Sequence, residues 1–135
     1  MKQIIIISIL LLASSLLLAQ TPDYRVVFDI TSKDTMAHQT VVRQANSILK
    51  EHPDAKVEVV IYGGALDLVT KDKSVVASAI QELAQKADIK VCDITMKRLN
   101  VDKSQLIPGV HTTPDGIYEI ITKQKEGWGY IKVSQ

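Results

Sequence analysis

Short apolar runs alternate with stretches of helical spacing along most of the chain. Residues 24–30 form a run of mostly β-favouring apolar residues and predict a first strand. Apolar residues then recur at helical spacing over 38–49, which predicts a helix closed by Pro53. Residues 57–62 predict a second strand, which Gly63-Gly64 ends.

The same alternation continues in the second half. A helix with its apolar face over residues 75–87 is predicted to start at Asp72 or Ser74. Residues 89–92 predict a third strand, followed by Thr95 as a candidate N-cap.

The last elements follow Pro108. Residues 110–112 predict a short fourth strand, and Thr113 with Pro114 is a favoured pair for the cap and first position of a final helix. Ile117, Ile120 and Ile121 form the face that this helix is expected to bury, and residues 128–133 predict the last strand. Alternating strands and helices indicate an α/β domain with a parallel sheet covered on both faces.

The first residues have the layout of a secretory signal peptide. Lys2 precedes an almost wholly apolar run over 4–18, and polar residues follow from Gln20. We therefore predict a signal peptide over 1–19, a single domain over 20–135, and export to the periplasm or beyond the cell. The run is short for a bilayer span, so no stable membrane insertion is expected after cleavage.

Composition narrows the function classes. The chain has 16 basic and 15 acidic residues, and loss of Lys2 with the leader would leave the two equal in number. No basic patch stands out, so we expect no nucleic-acid partner. The small mature core favours oligomerisation.

Candidate chemistry centres on the only cysteine, Cys92. Ligands of open α/β sheets bind beyond the carboxyl ends of strands, and Cys92 is predicted to end the third strand just before a helix. Helix N–H groups, together with Lys97 and Arg98, favour a thiolate there, whereas Asp93 opposes it. A buried cysteine that acts as a small hydrophobe is the alternative.

Other site types have less support in the sequence. His38, His52 and His111 are scattered and lack metal-ligand spacing with Cys92, so no metal or other cofactor is expected. Gly63-Gly64 lacks the lysine and serine of a phosphate-binding loop, and the simplest interpretation is a turn that leaves the strand.

Several stretches resemble the DsrE-like family of sulfur-relay proteins, which includes DsrE, DsrF and TusD. They are the VVFDITSKD strand and loop at 26–34, the YGGAL turn at 62–66, the VCDITMK segment at 91–97, and PGV at 108–110 followed by PDGIYEIITKQKEGWGYI at 114–131. The similarity covers nearly all of the mature chain, and it rests on the combined order and spacing of these segments.

This resemblance implies a three-layer α/β/α fold with a five-stranded, mainly parallel sheet, and homo-oligomers, often trimers or hexamers. It also implies that Cys92 matches the cysteine that receives sulfur as a persulfide, with a sulfur donor and an acceptor protein as partners. Asp93 and Ile94 depart from the small or polar residues that often follow that cysteine. The binding residues that we predict around it are Thr31, His38, Gly63, Gly64, Thr95 and Lys97.

Two function hypotheses follow. The first is an exported carrier of sulfane sulfur on Cys92, which acts as a nucleophile in the manner of thiol–disulfide exchange. The second is a non-catalytic oligomeric binding or assembly protein with a structural Cys92, because a fold does not fix a function. A redox enzyme is less favoured, since the chain lacks a CxxC pair.

Overall fold

The computed structural model describes residues 23–134 and contains one five-stranded sheet. Its strands are β1 (Arg25–Ile30), β2 (Lys56–Ile61), β3 (Asp88–Cys92), β4 (His111–Thr113) and β5 (Gly129–Val133). They lie in the order β4-β3-β2-β1-β5, and every neighbouring pair is parallel. The predicted α/β class and five-stranded parallel sheet are confirmed.

Helices connect the strands. They are α1 (Thr35–Glu51), α2 (Ala77–Leu83), α3 (Asp93–Arg98) and α4 (Gly116–Lys125), with 3₁₀ segments at Gly63–Val69 and Lys103–Gln105. The side chain of Asp34 caps α1 by accepting a hydrogen bond from the backbone of Met36 at 2.8 Å.

The larger core lies on one face of the sheet. Alternate strand residues point to this face, for example Phe28 and Ile30 of β1 and Val59 and Ile61 of β2. Buried residues of α1, α2, α3 and the first 3₁₀ segment pack onto them. Helical periodicity in α1 supplies Ala37, Val41, Val42 and Ala45 to this core.

The opposite face is covered differently. Within residues 23–134, α4 is the only helix that packs on it, and the buried apolar cluster there consists of Val27, Val60 and Ile120. Partly buried Tyr62 and Trp128 border this cluster. The strand positions on this face therefore carry several polar side chains, which form the sites described below.

Several predicted helix details are wrong. Helix α2 begins at Ala77, later than the predicted Asp72 or Ser74. Thr95 lies inside α3, where Cys92 occupies the N-cap position.

Helix α4 also differs from the prediction. Asp115, not Thr113, caps it, because the Asp115 side chain accepts hydrogen bonds from the backbone N–H groups of Ile117 and Tyr118. Thr113 still belongs to β4. Ile120 is buried as predicted, but Ile117 and Ile121 are exposed, since α4 packs on the sheet along a single narrow face.

The predicted signal peptide over residues 1–19 lies outside the described residues. Among the helices of residues 23–134, none has the length and apolar content needed to cross a bilayer.

Candidate active site

Cys92 lies where β3 ends and α3 begins. It is the last residue of the strand, pairs with Thr113 of β4, and serves as the N-cap residue of α3 without a side-chain hydrogen bond to the helix. Its side chain is only 5% exposed. The sequence thus placed the thiol correctly at the carboxyl edge of the sheet, but the surrounding residues nearly enclose it.

Gly116, the first residue of α4, packs against the side chain of Cys92. A Cβ atom at position 116 would lie 3.2 Å from Val60 Cγ1, 3.3 Å from Cys92 Cβ and 3.5 Å from Tyr62 Cδ1. These distances show how closely the α4 backbone approaches the sheet at this point. A side chain at position 116 would have to displace its neighbours.

The loop after β2 packs against the loop after β1 and against α3. The backbone N–H of Gly63 donates a hydrogen bond to Thr95 Oγ1 at 3.1 Å. Gly63 has a φ of +61°, and a Cβ at Gly64 would lie 3.0 Å from the Thr31 carbonyl oxygen. A positive φ and a close backbone approach both favour glycine. The structure therefore brings together Thr31, Gly63, Gly64, Thr95 and Cys92.

Two predicted binding residues lie apart from this group. His38 is buried in α1, and its Nε2 atom is 2.9 Å from the carbonyl oxygen of Ser32. It therefore ties α1 to the loop that follows β1. Lys97 is exposed on α3 beyond Thr95.

Of a second group of polar residues, which we call the Asp29 cluster, the sequence analysis named Thr31 but missed the other members. It consists of Asp29, Thr31, Tyr130 and Lys132. The buried Asp29 carboxylate accepts hydrogen bonds from Tyr130 at 2.6 Å and from Lys132 at 2.9 Å, and Lys132 also donates to Thr31 Oγ1 at 3.1 Å. An acidic residue inside the apolar run over 26–30 was the available signal.

Tyr62 lies between the Asp29 cluster and Cys92. Its ring contacts the Gly116 position, and the Lys132 ammonium lies 5.6 Å from the ring centroid. Burial, followed by the negative charge of Asp29, raises the pKa of Tyr62 to about 12. The hydrogen bond to Asp29 raises the pKa of Tyr130 to about 12 in the same way. Both phenols therefore stay neutral at physiological pH.

A third group of polar residues, the charged cluster, lies beneath the middle of α4. It consists of Glu58 of β2, Asp88 and Lys90 of β3, and Glu119 and Lys123 of α4. Lys90 lies 2.8 Å from Glu119 and 3.2 Å from both Glu58 and Asp88. Burial opposes the charge on Lys90, but these carboxylates outweigh it and raise its pKa.

Residues 23–134 contain no group of three or more acidic, histidine or cysteine side chains that could hold a metal ion. Among these residues, the site offers a lone thiol, the neutral phenol of Tyr62 and backbone N–H groups at helix starts. A thiol in this position can act as a nucleophile once it is ionised.

Comparison with known proteins places this geometry in context. The DsrE/DsrF-like family profile matches residues 25–133. No curated protein gives a significant match. Protein MTH1491 of unknown function from Methanobacterium thermoautotrophicum has a similar structure, with a TM-score of 0.77 and 28% sequence identity, over 82% of this chain and 99% of that one.

Two other solved structures share the fold. The conserved protein BT1422 of unknown function from Bacteroides thetaiotaomicron has a TM-score of 0.68 and 17% identity, over 81% of this chain and 94% of that one. The ychN protein from E. coli has a TM-score of 0.63 and 13% identity, over 82% of this chain and 99% of that one.

Proposed function

Because the chain belongs to the DsrE/DsrF-like family, we propose that it is a sulfur-relay protein that carries sulfane sulfur as a persulfide on Cys92. The position of Cys92 carries this proposal. Its thiol lies at the carboxyl end of β3, at the first turn of α3 and against the start of α4. Open α/β sheets place their sites at this edge.

The proposed chemistry needs no external oxidant. The Cys92 thiolate attacks the outer sulfur of a persulfide or polysulfide donor, a new S–S bond forms, and the donor's own S–S bond breaks. The donor leaves as a thiolate or sulfide that carries the displaced electron pair. A second protein thiolate then takes the sulfur by the same exchange and regenerates Cys92.

Intact-mass measurement after incubation with polysulfide tests the carrier function. We expect the native protein to gain one sulfur atom, and the gain to be reversed by a reducing thiol. The chain has one cysteine, so Cys92→Ser should abolish the adduct and keep the fold. Asp93→Asn should speed the reaction, because it removes a negative charge next to the thiol.

The alternative is a binding or assembly protein in which Cys92 is a packed side chain. The low exposure of Cys92 favours this hypothesis. It predicts that the native thiol resists a probe until the protein is denatured, and that Cys92→Ser loses stability through a buried hydroxyl without a partner. These two results together would contradict the carrier proposal.

Self-association is part of the proposal. Ile117, Tyr118 and Ile121 of α4 and Tyr130 of β5 are large apolar side chains exposed on the side of the sheet that carries one helix. A second copy of the chain could cover them, and the family resemblance favours trimers or hexamers. Light scattering should show a mass that is a multiple of the chain mass, and Ile117→Glu should lower the measured mass. Val75→Glu is the matched control, because Val75 is equally exposed before α2.

Export also remains a proposal. It rests on Lys2 and the apolar run over residues 4–18. The N-terminal residue of protein purified from the periplasm or medium should lie near Gln20, and a cytoplasmic protein that retains Met1 would contradict this.

A further inference from the structure

The start of helix α4 lies against the buried Cys92. Its first residue, Gly116, lies against both Cys92 and Val60, and the thiol-bearing side chain is 5% exposed. Movement of the start of α4 away from the sheet would expose this side of Cys92. The forces that hold α4 in place therefore control access to Cys92.

Apolar packing holds α4 weakly. Among the described residues, the buried apolar cluster under this helix contains Val27, Val60 and Ile120, whereas the core on the other face contains 22 buried residues. Charged contacts supply much of the remaining attachment. Glu119 of α4 lies 2.8 Å from Lys90, and Lys123 of α4 lies 3.4 Å from Glu58.

The charges in this attachment do not balance. The charged cluster holds three carboxylates, Glu58, Asp88 and Glu119, but only two ammonium groups, Lys90 and Lys123. Other titratable groups at its border are His111, which lies 3.1 Å from Asp88, and Glu126, which lies 3.8 Å from Lys123. Lys56 and Lys86 line the same surface depression as Glu58 and Lys123. With a neutral histidine, the cluster carries an excess negative charge.

Glu58 is the carboxylate that can best relieve this excess. It is 1% exposed, and its Oε2 atom faces Lys90 and Lys123 while its Oε1 atom has no hydrogen-bond donor. A buried polar atom without a partner is unfavourable. A proton on Glu58 removes one negative charge and gives its carboxyl a hydrogen to donate to Glu119 of α4. Lys123 then keeps Glu119 and Glu126, each at 3.8 Å, as ion-pair partners.

We propose that Glu58 is a positioning residue for Cys92: its protonated carboxyl holds α4 and Gly116 over the thiol, and loss of that proton loosens α4 and exposes Cys92. The inference goes beyond the proposed function but concerns the same thiol. Its tests measure helix docking and thiol access, not sulfur transfer, so either proposal can fail without the other.

The electrostatics of Glu58 agree with this geometry. Burial, followed by a hydrogen bond with Glu119, raises the pKa of Glu58 from 4.5 to about 7, although Lys90 and Lys123 oppose the rise. Glu119 shifts in the opposite direction: burial raises its pKa, but hydrogen bonds with Lys90 and Glu58 outweigh burial and lower it. The proton of the pair therefore resides on Glu58 and is lost near neutral pH.

Trp128 provides a direct readout of α4. It is the only tryptophan in the chain, it follows α4, and the Lys123 ammonium lies 4.7 Å from its ring centroid. We expect its fluorescence to change with a midpoint near pH 7 in the wild-type protein and to stay constant in Glu58→Gln, since glutamine mimics the protonated carboxyl. The same transition in Glu58→Gln, or none in the wild type, would overturn the proposal.

Two further variants separate Glu58 from its neighbours. Histidines also titrate near neutral pH, so His111→Gln must keep the fluorescence transition. Glu119→Gln should move the midpoint to lower pH, because it removes the charge that repels an ionised Glu58. Loss of the transition in His111→Gln, or an unmoved midpoint in Glu119→Gln, would count against Glu58.

Thiol alkylation tests access to Cys92. Alkylation of any thiol depends on pH because the thiolate is the nucleophile, so the informative quantity is the ratio of the wild-type rate to the Glu58→Gln rate. We expect this ratio to be near one at pH 5.5 and about ten at pH 8.5. A tenfold ratio corresponds to a difference of one unit in the pKa of Glu58 between the state with α4 docked and the state with α4 loosened.

The control for charge removal is Asp67→Asn, which breaks the surface pair of Asp67 with Lys73 at 3.4 Å and should alkylate like the wild type. A ratio near one at both pH values would overturn the link between Glu58 and Cys92.

Discussion

At the scale of single residues, Gly116 determines how closely α4 can approach the sheet. A Cβ atom added at this position would lie 3.2 Å from a side-chain carbon of Val60 and 3.3 Å from one of Cys92. Both neighbours belong to the sheet and have little room to move. The small residue is therefore a packing requirement, although alanine would be the better helix former.

Gly116→Ala should lower the free energy of unfolding by about 1 kcal/mol, because overpacking outweighs the gain in helix propensity. Urea denaturation measures the change. Gly129→Ala is the control, since its nearest contact would be an ordinary 3.4 Å to the Arg25 carbonyl oxygen. A Gly116→Ala protein as stable as the wild type would show that α4 can move away without cost.

Single residues also show where prediction from sequence stopped. Cys92 and its position at a strand end could be identified, because one cysteine lay at the end of an apolar run. Tyr62, Asp29 and Gly116 could not be assigned to its surroundings. They come from the loop after β2, from β1 and from α4, and they meet only through the parallel pairing of the sheet.

At the scale of elements, α4 is the helix on which the site depends. The sequence analysis named Thr113 as the N-cap of this helix, whereas the structure uses Asp115. The structure assigns them different tasks: Asp115 Oδ1 accepts a hydrogen bond from the backbone of Ile117 at 2.9 Å, whereas Thr113 Oγ1 donates to Glu119 at 3.2 Å. Spacing alone could not separate these roles, because both residues are good caps.

Asp115→Ala should destabilise the start of α4 by about 1 kcal/mol, the usual effect of losing an N-cap. Because Gly116 is the next residue, the rate of Cys92 alkylation should rise at a fixed pH. Asp102→Ala is the matched control: it removes the cap of the second 3₁₀ segment, which is remote in sequence from Gly116. Equal alkylation rates in the two variants would contradict the role of α4 as a cover.

At the scale of the whole molecule, the buried proton of Glu58 makes stability depend on pH. A carboxyl whose pKa is raised in the folded state binds its proton more tightly there than in the unfolded chain. Its contribution is therefore full at acid pH and is lost as the pH rises from 4.5 to about 7. The lowered pKa of Glu119 has the opposite effect on stability: its contribution is lost as the pH falls below the ordinary value of 4.5.

The free energy of unfolding should fall between pH 5 and pH 8 by on the order of 1–3 kcal/mol in the wild type and stay nearly level in Glu58→Gln. Urea denaturation at the two pH values provides the comparison. The free energy of unfolding of Asp67→Asn should fall between the two pH values as that of the wild type does. A parallel fall in Glu58→Gln would assign the pH dependence to another group.

The strand order has a consequence for how the molecule is made. β1 lies between β2 and β5, so Val26 pairs with Val57 on one side and with Gly129 on the other. During folding, β1 can pair with β2 while its other side still lacks a partner, because residues 129–133 lie about 100 residues further along the chain. Throughout that interval a central strand presents open hydrogen-bonding groups, to which a strand of another nascent chain can add.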